Sequence, residues 1–461
     1  MNKILRTAAW LFVAAGGLSV PAGSAWALPS FARQTGFECV ACHVSWLELT
    51  TVGRQFKLGG YTLMKPPAGE RPVVSFASDG DAPLIPLAGF VQASVSHTSN
   101  TDVAAAAGTD DSSFPKNNKL VVQQASLFLA GRVAEHAGVF AQWTYDGVEH
   151  HSSVDNVDVR VADRYRNDSL DVMYGLSLNN SPTMSDIYNT TPVWAWPFAT
   201  SGVAPAPAAG PLIAEGLAQQ VAGLSAYSMW NKTLYAELGG YRTANGVFSI
   251  LREGIDRSEA AVLSGTAPYW RLALQHEWDE GTQSVMFGAY GLNAKKYPDP
   301  TAPTGPTDTF HDLGIDAQYQ YVTDTHRVSG QFNLIRESQT LDGTFAAGDS
   351  ANLHNKLRTL STKATYYYMN KYGASLGYQR IRGDVDAGLY NTGEAVNGSA
   401  NGSPDSSAVI LELNWLPWRD RRFTLQYTAY QKFNGARTDY DGYGRNAKDN
   451  NTLYLLAWFP F

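Results

Sequence analysis

Cysteine is nearly absent: Cys39 and Cys42 are the only two in 461 residues. A fold stapled by several disulfides is therefore excluded. Charge is sparse as well, 17% Asp, Glu, Lys and Arg with a formal net charge of −7. Such a mildly acidic chain lacks the basic surface that nucleic acid requires. Beyond Val20 no apolar run approaches the roughly 18 residues that a membrane-spanning helix needs, so any membrane must be met in another way. What is plentiful is tyrosine (24), tryptophan (12) and glycine (42), a bias toward strands and interfacial aromatic residues.

The first residues follow a targeting pattern. Lys3 and Arg6 precede an apolar stretch from Ala8 to Val20, and Ala25-Trp26-Ala27 is a small-x-small cleavage site. This predicts a secretory signal peptide over 1–27 and a mature protein starting at Leu28. An uncleaved anchor is the competing reading, weakened by the shortness of the apolar run.

From about Pro86 onward the sequence alternates with a period of two. In residues 315–321, Ile315, Ala317, Tyr319 and Tyr321 share one face and Asp316, Gln318 and Gln320 the other. Residues 424–430 repeat the pattern with Leu425, Tyr427 and Ala429 opposite Thr424, Gln426 and Thr428, and Val328, Gly330, Phe332 and Leu334 alternate with Ser329, Gln331 and Asn333. Strands with one apolar and one polar face are expected. Short turns fall at 134–137, 166–168, 231–232, 280–282, 323–325, 370–371 and 417–421. Long polar connections fall between them at 100–118, 149–155, 180–218, 244–268, 296–310, 340–354, 383–405 and 434–450. Regular alternation of short and long connections predicts an all-β fold: an antiparallel outer-membrane β-barrel of about sixteen strands, with every short turn at the periplasmic end. The carboxy-terminal TLYLLAWFPF, ending on Phe461, reads as the strand that closes the sheet and removes its edges.

The two cysteines belong to CVACH, residues 39–43. The motif C-x-x-C-H in an exported protein reads as covalent attachment of one haem c, with Cys39 and Cys42 as thioether anchors and His43 as the proximal iron ligand. A disulfide between the cysteines is the competing reading in an oxidising compartment. A zinc site lacks a second ligand pair. Spacing does not identify the distal ligand. Met64 is the nearest downstream thioether, Met173 and Met286 occupy polar strand faces, and His97, His136, His150 and His151 are further candidates, each competing with a packing or surface role.

Residues 28–63 resemble the amino-terminal segment of the fused monohaem cytochrome-porins of the bacterial outer membrane, best known as iron oxidases. The likeness rests on Phe31-Ala32-Arg33-Gln34-Thr35-Gly36, the haem motif, Leu49-Thr50, Gly53 to Leu58 and Gly60-Tyr61-Thr62. It continues in Asn179 to Thr183 and Thr191 to Trp194, while Trp46 stands where many relatives carry proline. The resemblance implies a haem segment over 28–82, a barrel over 83–461, extracellular Fe(II) or another donor as electron source, and a periplasmic cytochrome or other carrier as acceptor. About fifty residues are too few for an independent core, so the haem segment is expected to insert into the lumen as a plug. Arg33, Arg54 and Lys57 are candidates for pairing with haem propionates or for plain surface solvation. Loop carboxylates Asp110, Asp111, Asp384, Asp386, Asp439 and Asp441 offer oxygen ligands to a hard cation or simply solvate the loops.

Overall fold

A computed structural model describes residues 29–62, 86–100, 116–253, 261–418 and 421–461. The expected leader over 1–27, Met64, Asp110 and Asp111 lie outside these residues.

The described residues begin with α1 (Pro29–Thr35), α2 (Cys39–Cys42), a small antiparallel pair β1 (His43–Ser45) and β2 (Glu48–Leu49), and α3 (Thr51–Leu58). Sixteen strands follow: β3 (Leu87–Thr98), β4 (Leu120–Ala134), β5 (Ala137–Asp146), β6 (His151–Arg166), β7 (Asp171–Asn179), β8 (Val221–Trp230), β9 (Leu234–Thr243), β10 (Ala267–Trp278), β11 (Gln283–Lys296), β12 (Asp308–Val322), β13 (His326–Thr340), β14 (His354–Tyr368), β15 (Tyr372–Gly383), β16 (Ser406–Trp418), β17 (Arg421–Lys432) and β18 (Thr452–Pro460). Each pairs antiparallel with its sequence neighbours, and β18 closes on β3 with Thr452 opposite Thr98 and Pro460 opposite Phe90. Phe461 extends the seam, exchanging both backbone hydrogen bonds with Gly89. The sixteen-strand closed barrel is the architecture that the alternating connections call for.

The alternation has the physical sense expected of it. Asp312, Asp316, Gln318 and Gln320 of β12 are buried in the lumen, whereas Leu313, Ile315 and Tyr319 between them are exposed on the outside. Leu238 and Phe287 are 69% and 64% exposed, a cost in water that disappears in hydrocarbon. Toward the short-turn end the outer face carries Tyr165, Trp230, Tyr319, Tyr366, Tyr368, Tyr372 and Trp418, an aromatic girdle of the kind that marks a membrane interface. The barrel thus spans a membrane through strands, and no described helix is long and apolar enough to cross one.

One connection differs from expectation. The polar stretch 149–155 is not a long loop: β5 and β6 are joined by 147–150, and His151 already begins β6. Its polar residues misled the reading because the lumen solvates them in place. Asp155, for example, accepts hydrogen bonds from Thr144 Oγ1 and Gln219 Nε2.

Because the barrel's apolar surface faces outward, its hydrophobic core lies inside, between the wall and two segments that enter the lumen. From the short-turn end comes the amino-terminal segment. Trp46, Phe56 and Tyr61 pack against Ala88, Phe90, Phe128, Phe140 and Trp458, and Leu58 against Met173, Tyr227 and Met286. From the other end comes the connection between β7 and β8, whose residues 180–191 are buried throughout. A polar, proline-bearing stretch reads as an exposed loop; here the lumen wall supplies the hydrogen bonds that water otherwise would.

Candidate functional site

The haem motif sits in one helical turn. Cys39 and Cys42 are the ends of α2, three residues apart and so on one face, and His43 leaves the turn in extended conformation with its backbone N–H donating to Cys39 O. Two contacts fix the turn from within the segment. Thr50 donates through N to Cys42 O at 2.9 Å and through Oγ1 to Ala41 O at 2.6 Å. Gly53 of α3 lies so close that a Cβ there would stand 2.3 Å from Cys42 O, so only glycine permits this approach. A third contact comes from the wall: Arg327, at the short-turn end of β13, donates through Nη1 to Val40 O at 2.7 Å and His43 O at 2.6 Å.

The residues present fit a covalent haem. No disulfide joins Cys39 and Cys42. Burial, reinforced by Cys39, pushes the Cys42 thiol up to about 11, which disfavours the thiolate that disulfide exchange uses. His43 Nδ1 is buried with no hydrogen-bond partner. Burial and the nearby Arg327 charge lower its imidazole to about 4, leaving the neutral form that ligates metals. Among the described residues no cluster of three His, Cys, Asp or Glu is arranged to hold a metal ion.

The remaining candidates divide clearly. Met64, proposed above as distal ligand, is outside the described residues, which follow the segment only to Thr62. Met173 and Met286 do point into the lumen, but they pack with Leu58, Tyr227 and Tyr235 as core side chains. His97 bonds Asn118 and His150 bonds Tyr145, both at the long-connection end, and His136 lies in a short turn beside Glu135 and Asp163.

Arg54 and Lys57 are not solvated surface charges. Arg54 is 2% exposed and donates to Gln275 Oε1, Ser284 Oγ and Gln320 Oε1. Lys57 donates to Asp186 O at 2.6 Å and Asn189 Oδ1 at 3.0 Å, with its ammonium 3.9 Å from the centre of the Trp194 ring. Arg33 donates to Leu87 O. All three cations dock the segment into the barrel. Glu48 completes the set through a 2.7 Å ion pair with Lys363 of β14, both side chains almost wholly enclosed. Tyr61 Oη donates to Asp158 Oδ2 at 2.6 Å, and Arg160 Nη1 donates to Lys57 O.

The two stretches that carry the resemblance meet at this point. Asn189 Nδ2 donates to Leu47 O, and Trp194 lies over Lys57. Asp186 shapes the inward connection by accepting from the backbone of Tyr188, Thr190 and Thr191, and it pairs with Arg271 at 3.2 Å. Trp46 packs edge-on against Trp458 of the closing strand with ring centres 4.9 Å apart.

Of the loop carboxylates, Asp386 accepts from Ser350, Ala351, Asn352, Asn355, Gly388 and Leu389, Asp384 from Lys356 N, Asp439 from Gly444 N, and Asp441 from Val396, Tyr443 and Arg445. They hold the loops together. Sequence reasoning missed a different set: Asp146, Glu149, Asp155 and Glu253, which together with His151, named above only as a candidate distal ligand, line a 370 Å³ cavity in the outer half of the barrel. These residues come from one hairpin and one distant connection. Only the closeness of Asp146 to Asp155 across the β5–β6 turn was available as a signal.

No family model matches the sequence, and no curated protein matches it either. Solved structures similar to it include a loop-deletion mutant of OmpT, an outer membrane protein of Vibrio cholerae (10% identity, 81% of this chain and 98% of that one, TM-score 0.42). The outer membrane channel DcaP of Acinetobacter baumannii is similar too (13%, 81% and 96%, TM-score 0.43). So is an anion-selective porin from Comamonas acidovorans (13%, 81% and 98%, TM-score 0.44).

Proposed function

We propose that this protein passes single electrons across the outer membrane, from extracellular Fe(II) to a periplasmic cytochrome or other carrier, by way of one haem c carried at Cys39, Cys42 and His43. The observation that carries the reading is the placement of the CVACH turn inside the lumen, near the short-turn end, under the grip of Arg327. The bound haem would supply a one-electron couple. The protein supplies the rest: Cys39 and Cys42 anchor, His43 ligates, and Arg327 holds the turn with a guanidinium next to the ligand. Enclosure by barrel and inward connection lowers the local dielectric, which makes that charge effective in setting a potential. The carboxylate-lined outer cavity supports the choice of donor, because a mouth of negative sign concentrates a divalent cation. A second reading, a diffusion porin with a haem appendage, draws on the cavities that remain in the outer half of the lumen.

The test is to purify the protein oxidised, add Fe(II) without oxygen, and follow the haem absorption bands. Rapid reduction in the protein, and loss of covalent haem in Cys39→Ala and Cys42→Ala, is the expected result. Absence of covalent haem in the parent protein would remove the proposal. A haem untouched by Fe(II) but reduced by another donor would remove iron alone, and porin-sized conductance from the intact protein in planar bilayers would favour the second reading.

A further inference from the structure

Three neighbouring strands carry a block of cations on the outside of the barrel, at its long-connection end. On β13 and β14, Glu337 and Leu357 point into the barrel and are buried, so Arg336, Lys356 and Arg358 beside them point out, and all three are exposed. Arg380 and Arg382 of β15 share the outward parity of the exposed Leu376. The ladder sets three of these cations in one row: Arg358 stands directly opposite Arg336 on one side and Arg382 on the other. Residues paired in this way have Cβ atoms about 5 Å apart, and like charges so placed are destabilising. Acids do not relieve the row. The outward positions of β12 to β16 hold no Asp or Glu, and among the described residues the three arginines have no ion pair. Asp384, just beyond β15, accepts from the backbone N–H of Lys356.

The height of the row identifies what meets it. Arg358 and Tyr368 of the aromatic girdle lie ten residues apart on the outward face of β14, with Leu360, Thr362, Ala364 and Tyr366 between them. At about 3.4 Å per residue and a strand tilt of about 40°, they differ by about 26 Å along the membrane normal, close to the height of a barrel's apolar band. The row therefore stands where the headgroups of the outer leaflet lie. Arg380, opposite Leu360, extends the block toward the hydrocarbon, and Lys356, opposite Ser338, extends it away. Arginine suits phosphate in particular, because its planar fork offers two parallel N–H donors to one anion.

We propose that Arg336, Arg358 and Arg382, flanked by Lys356 and Arg380, bind the phosphate groups of a lipid headgroup in the outer leaflet. The bound anion separates the like charges that the ladder brings together. The inference does not rest on the haem, since every residue of the row belongs to the barrel wall.

Native mass spectrometry of the full-length protein in detergent, titrated with lipid A as a phosphate-bearing glycolipid and with dephosphorylated lipid A as control, tests it. The expected result is a saturable adduct with lipid A and none with the control. Arg358→Gln, in the middle of the row, weakens the adduct about tenfold or more, whereas Arg242→Gln, which removes an exposed outward cation from β9, leaves it unchanged. Thermal unfolding gives a second reading: without lipid Arg358→Gln unfolds at a higher temperature than the parent, because a like charge has left the row, and lipid A reverses that order. Absence of a saturable adduct, equal uptake of the dephosphorylated lipid, or equal effects of Arg358→Gln and Arg242→Gln would each leave the row as solvated surface charge and overturn the proposal.

Discussion

Lys363→Met is the perturbation that most directly tests how the amino-terminal segment is held. Lys363 and Glu48 form a 2.7 Å ion pair with side chains 2% and 0% exposed. Methionine fills much of the same space but leaves the Glu48 carboxylate enclosed without its cation. Its remaining partners include Ser45 Oγ and Gln320 Nε2, each 3.4 Å away, and the hydroxyl of Ser329, neutral groups that compensate poorly for a lost cation. Removing one member of a buried pair costs about 3–5 kcal/mol, which is roughly two to three and a half orders of magnitude in the docked-to-undocked ratio. The ladder of β14 is untouched, because Lys363 contributes to it only through its backbone, opposite Gln331 and Gly377. Hydrogen exchange over 29–62 should therefore rise steeply while the barrel strands keep their protection, and bilayer conductance should increase as the segment leaves. Glu48→Gln combined with Lys363→Met removes both charges and should recover part of the loss. Unchanged exchange in Lys363→Met, or a double variant as damaged as the sum of its singles, would refute the argument.

The other predictions concern the same segment. Burial opposes the Glu48 charge, but Lys363 and hydrogen bonds to it outweigh burial and hold the carboxyl below its ordinary value; its contribution is present above about pH 4.3 and is lost as pH falls through the depressed folded value. Proteolysis of 29–62 should accordingly accelerate on acidification below about pH 4, with no change from this group between pH 6 and 9. Arg327→Met removes two charge-assisted hydrogen bonds from the CVACH turn, at a cost on the order of 3 kcal/mol, and faster amide exchange at 39–43 would register it. Gly53→Ala places a methyl group against Cys42 O and should displace α2 at a cost of about 1–3 kcal/mol, seen as a lower yield of covalent haem with the barrel still folded. Deleting 29–62 should leave a barrel with markedly greater conductance than the intact protein, and equal conductance would mean that the inward connection alone closes the lumen.

The strands, their count and their two faces were legible in the sequence because a barrel between lipid and an aqueous lumen imposes a period of two on each strand. The carboxy-terminal strand was legible for the same reason, whereas the haem expected at CVACH rests on local spacing alone, three side chains within five residues. The stretch 149–155 was misread because inward polar residues resemble loop residues when the lumen that satisfies them is not in view. Arg54 and Lys57 were left between two roles, surface charge and propionate partner, and burial of both side chains removes the first. Their partners, Gln275, Ser284, Gln320 and Asp186, lie more than a hundred residues away in the sequence.

The sequence by itself determined the barrel, its orientation of short and long connections, and the motif at its front, because each is written in neighbouring residues. Only the tertiary structure decided that the front segment is clamped by Glu48 and Lys363, that the connection after β7 turns inward to meet it, and that the outer lumen keeps an acidic cavity. Those features depend on which inward-facing side chains from separate strands come together when the barrel closes, and no local pattern carries that information.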